Sequence, residues 1–184
     1  RGLGDVYKRQ YPFTLENGKY ITQEKRNNSD IHTWQGEANL FHTFHDESTL
    51  DVKAYYFYSE RGLPGAVILY NPKAEERLWD ENFFTQARYK KTFSPKWTLQ
   101  AQAKFNHSWN KYEDTDVKYE NGKQTDINRQ DEYYLSAAVL YQPVKGLELS
   151  LAQDGFINTL HTNINDSPNP VRYSSLTALN ARYL

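Results

Sequence analysis

The feature that most constrains the fold is a strict alternation of side-chain character between Trp97 and Asn110. One set of positions is apolar apart from a histidine: Trp97, Leu99, Ala101, Ala103, Phe105, His107 and Trp109. The set between them is wholly polar: Thr98, Gln100, Gln102, Lys104, Asn106, Ser108 and Asn110. Because successive side chains of a strand point to opposite faces, the pattern predicts a β-strand with one apolar and one wet face.

The same alternation recurs in six further segments, whereas helical periodicity is hard to find. The apolar positions of these segments begin at Trp34, Leu50, Phe83, Tyr133, Leu147 and Thr177. We therefore predict seven strands, most of about 10 to 14 residues, against about 5 to 6 in an ordinary sheet. Aromatic residues lie near the ends of several apolar faces, as in the pairs Trp97 and Trp109 or Tyr133 and Tyr141.

The connections between these segments fall into two alternating kinds. Tight turns are predicted at His45–Ser48, Ser94–Lys96 and Gln142–Gly146, which are rich in turn-forming residues. Long polar loops are predicted at Ser59–Asp80, Glu113–Gln130 and His161–Val171. Short turns at one end of a sheet and long loops at the other are typical of an up-and-down outer-membrane barrel.

We therefore expect an all-β fold: a segment of an antiparallel, up-and-down transmembrane β-barrel. About seven long strands would form an open, curved sheet, which is an incomplete barrel. At about 3.3 Å per residue, Trp97–Trp109 spans on the order of 40 Å, and a tilt of about 45° fits this to the apolar band of such a barrel. A soluble all-β sandwich is the alternative architecture.

Composition excludes several classes of function. The chain has no cysteine and a formal net charge of −1, which argues against a thiol nucleophile, a Cys-ligated zinc site and a nucleic-acid partner. Its mean hydropathy is −0.88, and the sequence has no apolar run long enough for a transmembrane helix. The catalytic motifs of nucleophile elbows, phosphate-binding loops and helical zinc proteases are also missing, so we expect no enzymatic activity.

The two ends of the sequence carry their own expectations. Residues 1–10 resemble a translated sequencing-adapter read-through, and we expect them to be non-native. Residues 11–184 are expected to form the barrel segment. The final residues, Asn180–Leu184, continue the alternation without a turn.

Three segments resemble TonB-dependent outer-membrane receptors in the central part of their C-terminal barrel. They are Tyr11–Thr14 followed by Glu16–Gly18, then Arg26–Asp30, and then Tyr56–Gly65. The last of these resembles a strand-to-loop signature of the cobalamin-receptor-like branch, and siderophore or haem receptors stay open as alternatives. The resemblance covers Tyr11 to Leu184.

The resemblance implies the location and the partners. It implies the outer membrane of a Gram-negative cell, lipid around the barrel, and uptake of a scarce, large nutrient such as cobalamin or a siderophore. It also implies energy coupling to the TonB complex through a plug domain, which this sequence does not contain. The polar stripe that includes Gln100, Gln102 and Lys104 would face that plug and water.

The predicted loop 59–80 is the leading candidate for ligand contact. It carries an apolar run from Leu63 to Tyr70 and then Trp79, and exposed apolar residues at a loop tip favour packing or binding. Arg61 suits an anionic group such as a phosphate. We therefore predict Arg61, Tyr70 and Trp79 as ligand-binding residues, with packing against neighbouring loops as the alternative.

The predicted loop 113–130 gathers carboxylates. Asp114, Asp116 and Glu120 carry the oxygen ligands that Ca²⁺ prefers, although their spacing is not that of an EF-hand. The resemblance adds that cobalamin-type receptors order their loops with calcium. We expect no required cofactor, and structural Ca²⁺ at these residues is weighed against a solvated acidic loop.

The leading functional hypothesis is thus a segment of an outer-membrane transport receptor. The alternative is a soluble or secreted β-sandwich binding module whose aromatic residues stack on carbohydrate. The environment of Leu99, Ala101, Ala103 and Phe105 separates the two hypotheses. A barrel leaves them uncovered, whereas a sandwich buries them under a second sheet.

Overall fold

The computed structural model of the chain is built from antiparallel β-strands. It describes residues 5–8, 12–17, 20–25, 27–64, 74–115, 119–164 and 169–183. Every regular element in these ranges is a strand. No helix in them is long and apolar enough to cross a membrane.

The described residues form ten strands. They are β1 Asp5–Lys8, β2 Pro12–Asn17, β3 Tyr20–Lys25, β4 Asp30–Thr43, β5 Thr49–Gly62, β6 Arg77–Ser94, β7 Trp97–Asp114, β8 Gln124–Val144, β9 Leu147–Thr162 and β10 Val171–Tyr183. Eight of them form one open sheet in the order β1-β4-β5-β6-β7-β8-β9-β10. The strands β2 and β3 form a separate two-stranded sheet. All pairings are antiparallel.

The prediction of an open, up-and-down sheet of seven long strands is confirmed, and β4 to β10 are those strands. They are longer than predicted, reaching 18 residues in β6 and β7 and 21 residues in β8. The predicted loops shrink accordingly to 63–76, 115–123 and 163–170. The sequence indicated loops too early because the charged residues at these strand ends pair across the sheet, so local polarity there does not mark the end of a strand.

The first strands lie outside the predicted pattern. Asp5–Lys8 pairs with Asp30–Thr33 at one edge of the sheet, and β2 pairs with β3 over six residues each. Neither segment is long enough for alternation to have stood out from the sequence. The expectation that residues 1–10 are non-native stays a prediction.

The sheet has two rims. The connections 44–48, 95–96 and 145–146 form the turn rim, and the connections 63–76, 115–123 and 163–170 form the loop rim. The turn 44–48 is closed by a hydrogen bond from the Phe44 amide to the Ser48 carbonyl at 2.8 Å. Because every connection reverses the chain, β4 and β10 both run from the loop rim to the turn rim.

The eight-stranded sheet is a single layer. Among the described residues from Asn27 onward, none of the hydrophobic side chains is buried, and the few buried side chains are polar. No second sheet covers the eight-stranded sheet in these ranges, because each strand contacts only its neighbours in the sheet order. The two-layer sandwich of the alternative hypothesis is therefore not the fold of the described residues.

Candidate functional site

The pairing register assigns each side chain to one of two faces. Residues opposite each other in an antiparallel sheet share a face. One such row crosses the sheet through Leu40, Val52, Ala87, Ala103, Leu135, Gly155 and Ser175. The apolar positions predicted for all seven strands lie on this face, which we call the apolar face. The other is the polar face.

The apolar face is exposed on β4, on most of β8 and on β10, and it is partly exposed on β5, β6 and β7. Leu135 is 66% exposed, Leu151 is 51% exposed and Leu179 on the edge strand is 80% exposed. On β7 the wholly apolar part runs from Trp97 to Phe105, about 26 Å at the usual rise of a strand. No second layer of described residues covers Leu99, Ala101, Ala103 and Phe105 on this face, as expected for a barrel wall.

Aromatic rings mark both ends of this apolar band. At the turn rim, Trp97 stacks on Tyr141 with ring centroids 4.1 Å apart. At the other end, Phe105 contacts Tyr133 at 5.0 Å and Phe83 at 6.4 Å. By register, all four tryptophans lie on the apolar face: Trp34, Trp79, Trp97 and Trp109. Two aromatic girdles flanking an apolar band are typical of a barrel wall in a membrane.

The polar face carries cross-strand ion pairs and hydrogen bonds. Lys53 pairs with Glu37 at 3.0 Å and Lys104 with Glu132 at 3.7 Å. Both ammonium groups also lie 5.9 Å from the centroid of the Phe84 ring between them. Further pairs on this face include Arg88 with Asp51, Asn128 with Asn110, and Tyr134 with Asp154. Because these polar groups form ion pairs and hydrogen bonds with one another, the polar face needs no second layer of protein over it.

Beyond the aromatic girdle, the apolar face becomes ionic toward the loop rim. Arg77 binds Asp30 at 3.0 Å and Glu60 at 2.6 Å, while Lys111 and Lys123 both contact Glu113. The Arg77 guanidinium lowers the pKa of the Asp30 carboxyl by hydrogen bonding. Hydrogen bonds from the two lysines likewise lower the pKa of Glu113. Beside this network, the Lys111 ammonium lies 4.4 Å from the Trp79 ring centroid.

The predicted ligand-binding residues do not meet in one loop. Arg61 lies in β5 on the polar face and pairs with Asp80 at 3.1 Å. Trp79 lies in β6 on the opposite face, against Lys111. Their placement in a loop was therefore wrong, because the strands continue to Gly62 and from Arg77. Tyr70 lies outside the described residues, and a role in ligand binding stays a prediction for all three.

The predicted calcium ligands are divided in a similar way. Asp114 ends β7, is buried, and accepts a hydrogen bond from the Tyr119 hydroxyl at 2.9 Å. Glu120 is exposed in the connection 115–123, and Asp116 lies outside the described residues. No three metal-ligating side chains gather among the residues that the structure describes. Calcium binding by this set stays a prediction.

One residue that holds the loop rim together was not singled out from the sequence. The Asn28 side-chain amide donates to the Leu63 carbonyl at 3.1 Å and to the Glu76 carbonyl at 2.6 Å. It thereby fastens both ends of the connection 63–76, which are also joined by the Leu63 amide and the Glu76 carbonyl at 2.9 Å. Asn28 adopts a left-handed backbone with φ of 54°, which asparagine tolerates better than most residues.

Comparison of the chain with protein-family models and with curated proteins finds no match.

Proposed function

We propose that this chain forms part of the barrel wall of an outer-membrane, TonB-dependent receptor that takes up a scarce, large nutrient. The observation that carries the proposal is the exposed apolar band between two aromatic girdles, on a sheet with a polar opposite face. A large apolar side chain left in water forgoes about 1.5–3 kcal/mol of burial free energy. Lipid against this face recovers that free energy without a second layer of protein.

The opposite face supports the same proposal. In a transmembrane barrel the strands alternate between lipid and a wet interior, so the inner side chains need polar partners rather than an apolar core. The paired groups Lys53–Glu37 and Lys104–Glu132 meet that need. In the proposed receptor this face would contact water and the plug domain.

The ionic end of the strands supports the assignment of the two rims. Beyond Trp109, both faces carry charged groups, as expected for strands that project from the membrane into water. The loop rim would then be extracellular and would meet the nutrient first, with Arg61, Trp79 and Tyr70 as ligand-contact candidates. Whether the nutrient is cobalamin, a siderophore or haem depends on the loops rather than on the sheet.

A charge on the apolar face tests the proposal. Ala101 lies midway between Trp97 and Phe105 on that face, and Gln102 points to the other one. Ala101→Arg should lower the free energy of unfolding from lipid vesicles by about 2–4 kcal/mol, because a buried guanidinium near the bilayer midplane is poorly solvated. Urea titration of the vesicle-inserted chain measures this change.

Gln102→Arg is the matched control, since it adds the same side chain one residue away on the wet face. It should lower the free energy of unfolding by no more than about 1 kcal/mol, through repulsion from Arg88 at the opposite position of β6. Equal effects of the two substitutions would contradict a membrane face. So would full folding of the wild-type chain in buffer with no gain on adding lipid.

A further inference from the structure

A groove crosses the apolar face at the end of the band nearer the loop rim. Its volume is about 680 Å³, and its walls are almost entirely apolar. A row of bulky side chains forms one wall, including Phe105, Tyr133 and Tyr173, and its floor contains the small residues Ala103 and Gly155. We call it the apolar groove. Tyr173 is 74% exposed, so the groove is open along the sheet surface.

A second depression adjoins the apolar groove on the same face. It has a volume of about 540 Å³ and is lined by Glu81, His107, Trp109, Arg129 and Asp131. We call it the polar recess. The two depressions are contiguous because His107 is the next side chain on this face of β7 after Phe105, and Asp131 is its cross-strand partner beside Tyr133. An apolar compartment thus leads directly into a charged one.

Arg129 is the one cation of the polar recess that is in no ion pair or hydrogen bond among the described residues. His107 Nδ1 lies 2.5 Å from the Asp131 carboxylate. Glu81 interacts with the Tyr56 hydroxyl. Arg129 is exposed next to Trp109, and among the described residues no ion pair or hydrogen bond engages its guanidinium. The recess therefore offers five N–H donors to an anion at the mouth of the apolar groove.

We propose that the apolar groove and the polar recess together bind one anionic lipid molecule whose headgroup carries a phosphate. An acyl chain lies in the groove against Tyr133 and Ala103, and the headgroup phosphate meets the Arg129 guanidinium. Guanidinium and phosphate are complementary in charge and in bidentate geometry. Trp109 marks the depth at which an amphipathic ring meets lipid headgroups. The inference rests on the proposed function, since it requires lipid at the apolar face.

The order of the compartments along the strand fixes the orientation of the lipid. The apolar groove lies within the band, and the polar recess lies between the groove and the loop rim. The headgroup therefore belongs to the leaflet on the loop-rim side. A phosphate ion without acyl chains would lack the larger part of the contact and should not compete.

Fluorescence quenching in vesicles tests this inference. The chain carrying Trp34→Phe, Trp79→Phe and Trp97→Phe keeps Trp109 as its one tryptophan, beside Arg129. It is inserted into phosphatidylcholine vesicles that contain an equal minor share of either brominated phosphatidylglycerol or brominated phosphatidylcholine. Both lipids carry a phosphate diester, but phosphatidylglycerol is anionic, whereas Arg129 repels the choline ammonium of phosphatidylcholine. We therefore expect phosphatidylglycerol to be preferred on the order of tenfold at this site.

Four variants test the two parts of the site. Arg129→Gln should reduce the preference for phosphatidylglycerol to about onefold, whereas Arg129→Lys should keep part of it because the charge remains. Arg172→Gln removes an exposed cation from β10 on the polar face and should leave it unchanged. Ala103→Phe fills the groove and should weaken quenching by both brominated lipids. Addition of inorganic phosphate should displace neither lipid.

The outcomes separate this inference from the proposed function. Strong but equal quenching by the two lipids in the chain with native Arg129 would overturn the lipid site while leaving the membrane face intact. An unchanged preference in Arg129→Gln would overturn it as well, as would displacement of the lipids by free phosphate. Absence of quenching by either lipid would overturn the proposed function together with the site.

Discussion

At the scale of single residues, the loop rim depends on a close approach of two backbones. Gly62 ends β5 beside Asn28, whose side chain holds both ends of the connection 63–76. A Cβ at Gly62 would lie 2.5 Å from the Asn28 carbonyl oxygen and 2.7 Å from its carbonyl carbon. Because those atoms belong to backbone, they cannot rotate away. Gly62 is therefore required because a side chain would not fit between the two backbones.

Gly62→Ala should lower the free energy of unfolding by about 1–3 kcal/mol, the range for overpacking a closely fitted site. Gly36→Ala is the matched control, because an added Cβ there meets no atom within 4 Å. It should raise the free energy of unfolding by roughly 0.5–1 kcal/mol through the loss of glycine's conformational entropy in a strand. Urea titration of both variants checks the pair. A harmless Gly62→Ala would contradict the clamp at Asn28.

At the scale of elements, the ends of the strands are held by charge rather than by apolar packing. Arg77 at the start of β6 binds Asp30 at the start of β4 and Glu60 near the end of β5. Three strands are thereby joined at one rim. Each such partly exposed pair contributes roughly 0.2–1 kcal/mol, so the group matters as a network.

The Asp30–Arg77 pair predicts acid sensitivity. The pKa of Asp30 is lower in the folded chain than its ordinary value of 3.8, chiefly through the hydrogen bond from Arg77. A lowered folded pKa contributes stability that is present above the ordinary value and lost as pH falls below it through the folded value. The free energy of unfolding should therefore fall as pH decreases below 3.8.

Asp30→Asn should reduce the free energy of unfolding at neutral pH by about 1 kcal/mol and flatten this acid dependence. Urea titrations at a series of pH values provide the measurement. Arg172→Gln serves as the control, because arginine stays protonated throughout this range and the residue lies on the other face near the opposite edge. If Asp30→Asn kept the full wild-type slope, the pair would not be the source of the sensitivity.

The alternation in the sequence predicted the middle of each strand but not where the strand ends. Alternation at Trp97–Phe105 is local, so one strand alone reveals which side chains share a face. The pairing of Arg77 with Asp30 spans 47 positions in sequence, and no local pattern announces it. For the same reason His107 was assigned to the apolar stripe. Only the register brings Asp131 beside it.

At the scale of the whole molecule, one face holds every tryptophan. Trp34 and Trp109 share one row beyond the Phe105–Tyr133 contact, Trp79 lies one row further toward the loop rim, and Trp97 lies at the turn rim. The tyrosines, by contrast, occupy both faces, as Tyr133 and Tyr134 do on consecutive positions of β8. Tryptophan emission is therefore a selective report on the apolar face.

Insertion of the wild-type chain into lipid vesicles should shift its tryptophan emission to shorter wavelength and protect it from iodide quenching by several-fold. The physical reason is that rings at a membrane interface leave bulk water. A chain with all four native tryptophans changed to phenylalanine and Gln102→Trp added places its ring on the polar face instead. That variant should stay accessible to iodide. Equal protection of the two chains would contradict a two-sided wall.

The direction of the outermost long strands sets a rule for what can lie beside them. With seven long strands, β4 and β10 point the same way, so joining them to each other would create the one parallel ladder in an otherwise antiparallel sheet. Two like-oriented copies placed edge to edge meet the same mismatch along residues 34–43, the part of β4 that β1 leaves unpaired, because β10 of one would run alongside β4 of the next. An antiparallel neighbour for β10 must run from the turn rim to the loop rim. Parity, rather than side-chain chemistry, thus determines which strand can extend this wall.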